Sequence, residues 1–149
     1  MNTRRYIPAV AVVAVVLILT GCTPRDKASV RLQGDRLEIV PCQTIVADKV
    51  LTYVRPDGQR TTAQVWSLNG KGTFDPDHPL TYGVEPQGFT SDSGPVAFDY
   101  EHSFVSVSFY PLEPSSSGVG KISLAFDGVK LVPGKWLRSD GTVSASPCG

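Results

Sequence analysis

The sequence predicts an all-β fold, an antiparallel sandwich of two sheets. Three observations carry that expectation. Short runs alternate apolar and polar residues with the two-residue period of a half-buried strand, and Gly, Pro and Asp signals separate them. No window shows a convincing apolar period of 3.6 residues, so helices are not expected.

Taken in order, Val30-Arg31-Leu32 and Leu37-Glu38-Ile39 flank Gln33-Gly34-Asp35-Arg36 and read as a hairpin. Residues 44–53 hold the best helix candidate, which Thr44 could cap, but their β-branched content argues for strand. Val50-Leu51-Thr52-Tyr53-Val54 and Thr61-Thr62-Ala63-Gln64-Val65-Trp66 are the next two strands. Pro56-Asp57-Gly58 turns between them, with proline fixing φ, aspartate capping and glycine taking positive φ. Residues 103–110 put Val105, Val107 and Phe109 on one face, and the following run groups Ile122, Leu124 and Phe126 in the same way. Asp127-Gly128 is expected to turn into a strand at Val129-Lys130-Leu131-Val132. A further strand runs through Trp136-Leu137, and a last one follows Ser139-Asp140-Gly141-Thr142. Seven or eight such strands suit an immunoglobulin-like sandwich among others, and the sequence leaves the topology open.

Residues 69–95 break this rhythm. They include five glycines and four prolines among 27 residues, which reads as one long loop. Loops beyond about 15 residues are uncommon unless functional or disordered. This one carries Phe74, Tyr82 and Phe89, too aromatic for simple disorder. At least one of these rings is expected on an exposed patch near Gly88, which makes the three the candidate binding face. Trp66 and Trp136 lie in strand-like runs and are expected in the core, and the shorter Ser115-Ser116-Ser117-Gly118 loop is expected to be mobile.

The N-terminus has a separate logic. Arg4 and Arg5 precede the apolar residues 7–19, and Leu19-Thr20-Gly21-Cys22 ends the run. As a helix the apolar stretch would reach roughly 20 Å, short of the about 30 Å that a bilayer core requires. This is the layout of a secretion signal. Residues 19–22 resemble the lipobox of bacterial lipoproteins. The resemblance implies that the Cys22 thiol receives a diacylglyceryl group, that the preceding peptide bond is cut and that the mature chain begins at Cys22. The small Gly21 fits a peptidase that admits only small side chains beside the cut. A plain secreted protein and an uncleaved anchor are the competing readings, but no Ala-x-Ala-type ending lies here. Residues 1–21 are then the signal, 22–28 a lipidated tether and 29–149 a single domain. Two acyl chains hold stably where one holds only reversibly. The expected location is the extracytoplasmic face of a bacterial membrane. In a Gram-negative source Thr23 would suit sorting to the outer membrane.

With Cys22 committed to lipid, Cys42 and Cys148 remain as a pair in an oxidising compartment and are expected to form a disulfide. Without a CxxC spacing they make a poor metal site. Once Arg4 and Arg5 are removed, 12 of the 14 basic residues face 14 acidic ones, a formal charge of −2. No basic patch appears along the chain, so nucleic acid is not an expected partner. The bilayer, another envelope protein or a cell-wall ligand are.

Catalytic patterns are missing. No Gly-x-Ser-x-Gly elbow occurs, and Ser117 and Lys121 are four apart rather than three. Gly118-Val119-Gly120-Lys121 ends like a phosphate loop, but it lacks the first glycine and the final Ser/Thr and precedes a strand. One repeat stands out. The two histidines sit in Asp75-Pro76-Asp77-His78 and Asp99-Tyr100-Glu101-His102, each acid-x-acid-His. Imidazole with carboxylates suits a divalent metal or an acid–base dyad. An extended backbone would point Glu101 and His102 to opposite faces, and Asp75 and Asp77 also suit plain turn capping. The expectation is therefore a protein with no cofactor, no metal and no catalytic residue. The alternative is a metal-dependent or hydrolytic enzyme using His78 or His102.

Beyond the signal, the chain resembles small uncharacterised envelope lipoproteins of actinobacterial type. Pro41-Cys42, Val65-Trp66, Tyr82-Gly83, Pro86-Gln87-Gly88-Phe89 and a cysteine at the C-terminus carry the resemblance. That group has no assigned activity, so the resemblance implies an envelope lipoprotein and no catalytic residues.

Overall fold

Ten strands and one 3-10 turn make up the described chain, which in a computed structural model covers residues 28–112 and 121–149. The strands are β1 (Ala28–Gln33), β2 (Arg36–Pro41), β3 (Ile45–Pro56), β4 (Ala63–Phe74), β5 (Leu80–Thr81), β6 (Phe89–Ser93), β7 (Ser103–Pro111), β8 (Ile122–Asp127), β9 (Trp136–Arg138) and β10 (Val143–Ser144). They form two antiparallel five-stranded sheets, ordered β10-β9-β1-β2-β5 and β6-β4-β3-β7-β8. The fold is the two-sheet sandwich that the alternation predicts. Its five-plus-five order differs from the four-plus-three order of an immunoglobulin constant domain.

Alternation decides which residues meet between the sheets. Val30, Ile39, Leu80 and Leu137 face inward from the first sheet. Val50, Val54, Trp66, Leu68, Val105, Val107, Phe109, Ile122, Leu124 and Phe126 do so from the second. From Ile45 onward the 44–53 stretch is strand, as its β-branching requires, and β3 carries irregularities between Ala47 and Lys49 and between Thr52 and Tyr53. Trp66 and Trp136 are both buried. Gln59 N–H closes onto the Pro56 carbonyl at 3.1 Å, so the expected turn forms, with Pro56 as its first residue rather than a central one. The Ser115–Gly118 loop and the signal with Cys22 lie outside the described residues.

Two expectations are corrected. Residues 69–95 are not one loop: they contain the second half of β4, all of β5 and all of β6. The glycines that look like loop signals serve close packing of strands. A Cβ on Gly70 would lie 2.0 Å from the Gly88 carbonyl oxygen, and one on Gly72 would lie 2.6 Å from the Phe89 ring. Only glycine lets β6 and its aromatic ring lie so close to β4. The second correction concerns Val129 to Val132. In place of a strand, Gly128–Lys130 forms a 3-10 turn, capped by the Asp127 carboxylate, which accepts from Val129 N–H. Gly128 is wedged against the Tyr100 carbonyl, where a Cβ would sit 1.5 Å from the oxygen. The chain must curl at that point, and Val129 is left 70% exposed.

The C-terminus lies over the outward face of the first sheet. Cys42 and Cys148 are bonded, with Cα atoms 5.5 Å apart and a sequence separation of 106, as the cysteine count predicts. Ser29 and Val40 pair across β1 and β2 on that outward face, yet both are fully buried. The Ser29 hydroxyl donates to the Pro147 carbonyl, which places the tail over this patch. Arg138 adds a second hold, its Nη2 donating to the hydroxyls of Ser144 and Ser146 at 3.1 Å each.

Candidate functional site

The expected binding face does not form around Phe74 and Phe89. Both rings are buried, at 3% and 5% exposure. Their centroids lie 5.4 Å apart, and the Phe74 ring also lies 5.1 Å from that of Phe109. The reason is the close approach described above: with no side chain at Gly72, the Phe89 ring lies across β4 and is drawn into the core.

Tyr82 behaves differently. It follows β5, and its N–H donates to the Leu37 carbonyl at 2.8 Å, which holds it beside the β1–β2 hairpin. Its ring meets Trp66 edge-on at 5.1 Å and Phe98 edge-on at 5.3 Å. Its hydroxyl donates to the Val96 carbonyl at 2.8 Å, while Val96 N–H donates to Val65 in β4 at 2.9 Å. Tyr82 is thereby tied to the first sheet through its backbone and to the second through its side chain. Burial pushes its phenol up to about 12.

This arrangement floors a groove of about 350 Å³ lined by Asp35, Arg36, Leu37, Tyr82, Gly83, Pro95, Ala97, Phe98 and Tyr100. Phe98 and Tyr100 stand two residues apart on the segment that crosses from β6 to β7. That segment is set by Gly94, which sits so close to β4 that a Cβ would fall 2.1 Å from the Val65 oxygen. Asp35 and Arg36 come from the β1–β2 hairpin and line the same groove, and neither makes an ion pair among the described residues. The sequence reading found Tyr82 but missed Phe98, Tyr100, Asp35 and Arg36. Phe98-Asp99-Tyr100 is legible as an aromatic pair two residues apart, but nothing linear joins it to a hairpin some sixty residues earlier.

The six candidate metal residues are placed otherwise than a shared site needs. Asp75 Oδ1 accepts from the N–H groups of Asp77 and His78, at 2.9 and 3.0 Å, and lies 2.8 Å from His78 Nδ1. The His78 hydrogen bond, followed in effect by those backbone donors, holds the Asp75 carboxyl below the usual carboxylate range. Asp99 repeats the arrangement, accepting from Glu101 N–H at 3.1 Å and lying 2.9 Å from His102 Nδ1. The acid-x-acid-His repeat is thus two copies of an aspartate-capped turn, each histidine paired with the aspartate three residues before it. His102 also borders a separate groove of about 400 Å³ with Asp57, Glu101 and Asp127. Among the described residues no group of three or more His, Cys, Asp or Glu is placed to hold a metal ion.

Comparison of the chain with protein-family models, curated proteins and solved structures found no match.

Proposed function

We propose that this protein is a lipoprotein of a bacterial envelope, held on the extracytoplasmic face by acylated Cys22, whose sandwich serves as a non-catalytic binding module. The observation that carries the reading is the division of labour among three cysteines. Two are bonded to each other within the domain, as suits an oxidising compartment. The third directly follows a short apolar run that ends Leu-Thr-Gly-Cys. Support for the binding role comes from the preformed aromatic groove, which includes Tyr82, Gly83 and Pro95 of the 69–95 segment. Apolar concavities with a few convergent polar groups are the usual form of ligand sites. Ala28 already belongs to β1, so the proposed tether is residues 22–27, which reaches at most about 20 Å, and the groove would work close to the membrane surface. An envelope protein or a cell-wall ligand is the partner this placement favours.

The test is expression of the full chain in a bacterial host with labelled fatty acid. The wild type should incorporate label, lose its signal and partition into detergent. Cys22→Ala should accumulate as unlabelled, unprocessed precursor, because the only thiol at the cleavage site is gone. Unchanged processing and partitioning in that variant would overturn the anchor.

A further inference from the structure

We propose that the groove between the Asp35-Arg36 turn and the 95–100 segment binds an acidic sugar, a pyranose ring bearing a carboxylate. The inference rests on the binding role given above and names the ligand class of that same groove.

Three features select this chemistry together. The first is the aromatic lining: Tyr82, Phe98 and Tyr100 present ring surface, against which the C–H faces of a sugar pack well. Two of these rings are fixed before any ligand arrives. Tyr82 is wedged edge-on between Trp66 and Phe98, and its hydroxyl is already engaged by Val96. Little ordering cost is left for binding.

The second feature is the pair of charges that the hairpin brings to the groove. Asp35 and Arg36 are adjacent, line the same groove and make no ion pair among the described residues. Asp35 offers two acceptor oxygens for sugar hydroxyls, and Arg36 offers a planar fork of donors that matches a carboxylate. A purely apolar ligand would leave both charges unmatched. A neutral sugar or a simple cation would use Asp35 and leave Arg36 unmatched. A ligand with both hydroxyls and an anionic group satisfies every group that the groove presents.

The third feature is size. About 350 Å³ lies at the small end of ligand sites and accommodates one substituted ring rather than a long chain.

The experiment is calorimetric titration of the full chain in detergent with N-acetylmuramic acid, N-acetylglucosamine and lactate. The first two share a ring and differ in the lactyl group that carries the carboxylate, and lactate supplies that group without the ring. N-acetylmuramic acid should bind, with N-acetylglucosamine about tenfold weaker or worse, as loss of a charge-assisted contact implies. Lactate should not bind measurably. Arg36→Gln should reduce the acid to the affinity of the neutral sugar without lowering the melting temperature, since Arg36 is exposed. Tyr100→Ala should weaken both sugars. Equal affinity for the two sugars, binding of lactate alone, an unchanged preference in Arg36→Gln, or no binding of either sugar would each overturn the proposal. These readouts do not depend on Cys22, so failure here and failure of the anchor are separable.

Discussion

Tyr82 shows how one side chain can serve both packing and a site. The residue gives a backbone hydrogen bond to the first sheet and a side-chain hydrogen bond to the segment that rides on the second. Its desolvation has a measurable consequence at high pH. The phenol ionises near 10 in the unfolded chain and is pushed up to about 12 when folded. The folded state therefore holds this proton more tightly than the unfolded state. The stabilisation is complete below pH 10 and is lost as pH rises from 10 to 12. Stability followed by circular dichroism should fall over that interval, and less steeply in Tyr82→Phe. A wild type and a Tyr82→Phe variant with identical alkaline profiles would mean that the phenol is solvated.

At the scale of elements, β6 is the least obvious strand of the molecule and the most instructive. It pairs with β4 from Gly70 to Ser67 and carries the Phe89 ring into the core. Trp66 Nε1–H donates to Ser91 at 3.1 Å and Gln64 to Ser93 at 3.1 Å, so side chains of β4 and β6 pair as well as their backbones. Phe89→Ala should accordingly cost about 3–5 kcal/mol, the range for truncation of a buried phenylalanine. Denaturant unfolding measures this directly, and a loss below about 1 kcal/mol would show that the ring contributes surface rather than core.

For the whole molecule, the Cys42–Cys148 bond ties the end of the chain to the end of β2 across 106 residues. In the chain-entropy model a bridge over about 100 residues stabilises by about 4.7 kcal/mol, chiefly by restricting the unfolded chain. Cys148→Ser should therefore lower stability by about 2–5 kcal/mol. It should also free the tail from Ser29, which would appear as faster hydrogen exchange at residues 145–149. The native protein should titrate no free thiol from this pair, and two reactive thiols in the oxidised domain would contradict the bridge.

The strands around Val30, Ile39, Val105, Phe109 and Leu124 were legible because their inward faces repeat every second residue, a local property that one stretch of chain carries alone. The disulfide was legible because only two cysteines remained once Cys22 was set aside. Both repeats of acid-x-acid-His were visible, but their meaning depended on backbone conformation: each aspartate caps its own turn and pairs with its own histidine. The fate of residues 69–95 was settled by tertiary contacts. Glycine and proline mark a loop and a close strand approach with the same letters, and only the position of Phe89 against Gly72 distinguishes them. The groove was hidden for a related reason. Arg36, Tyr82 and Tyr100 come from three distant stretches, and a site assembled where two sheets meet leaves no period, spacing or motif in any one of them. The sequence by itself determined the alternating faces, the turn between β3 and β4 and the cysteine pairing, because each follows from local pattern or from counting. Which aromatic rings became core and which became surface was decided only by how the two sheets close on each other.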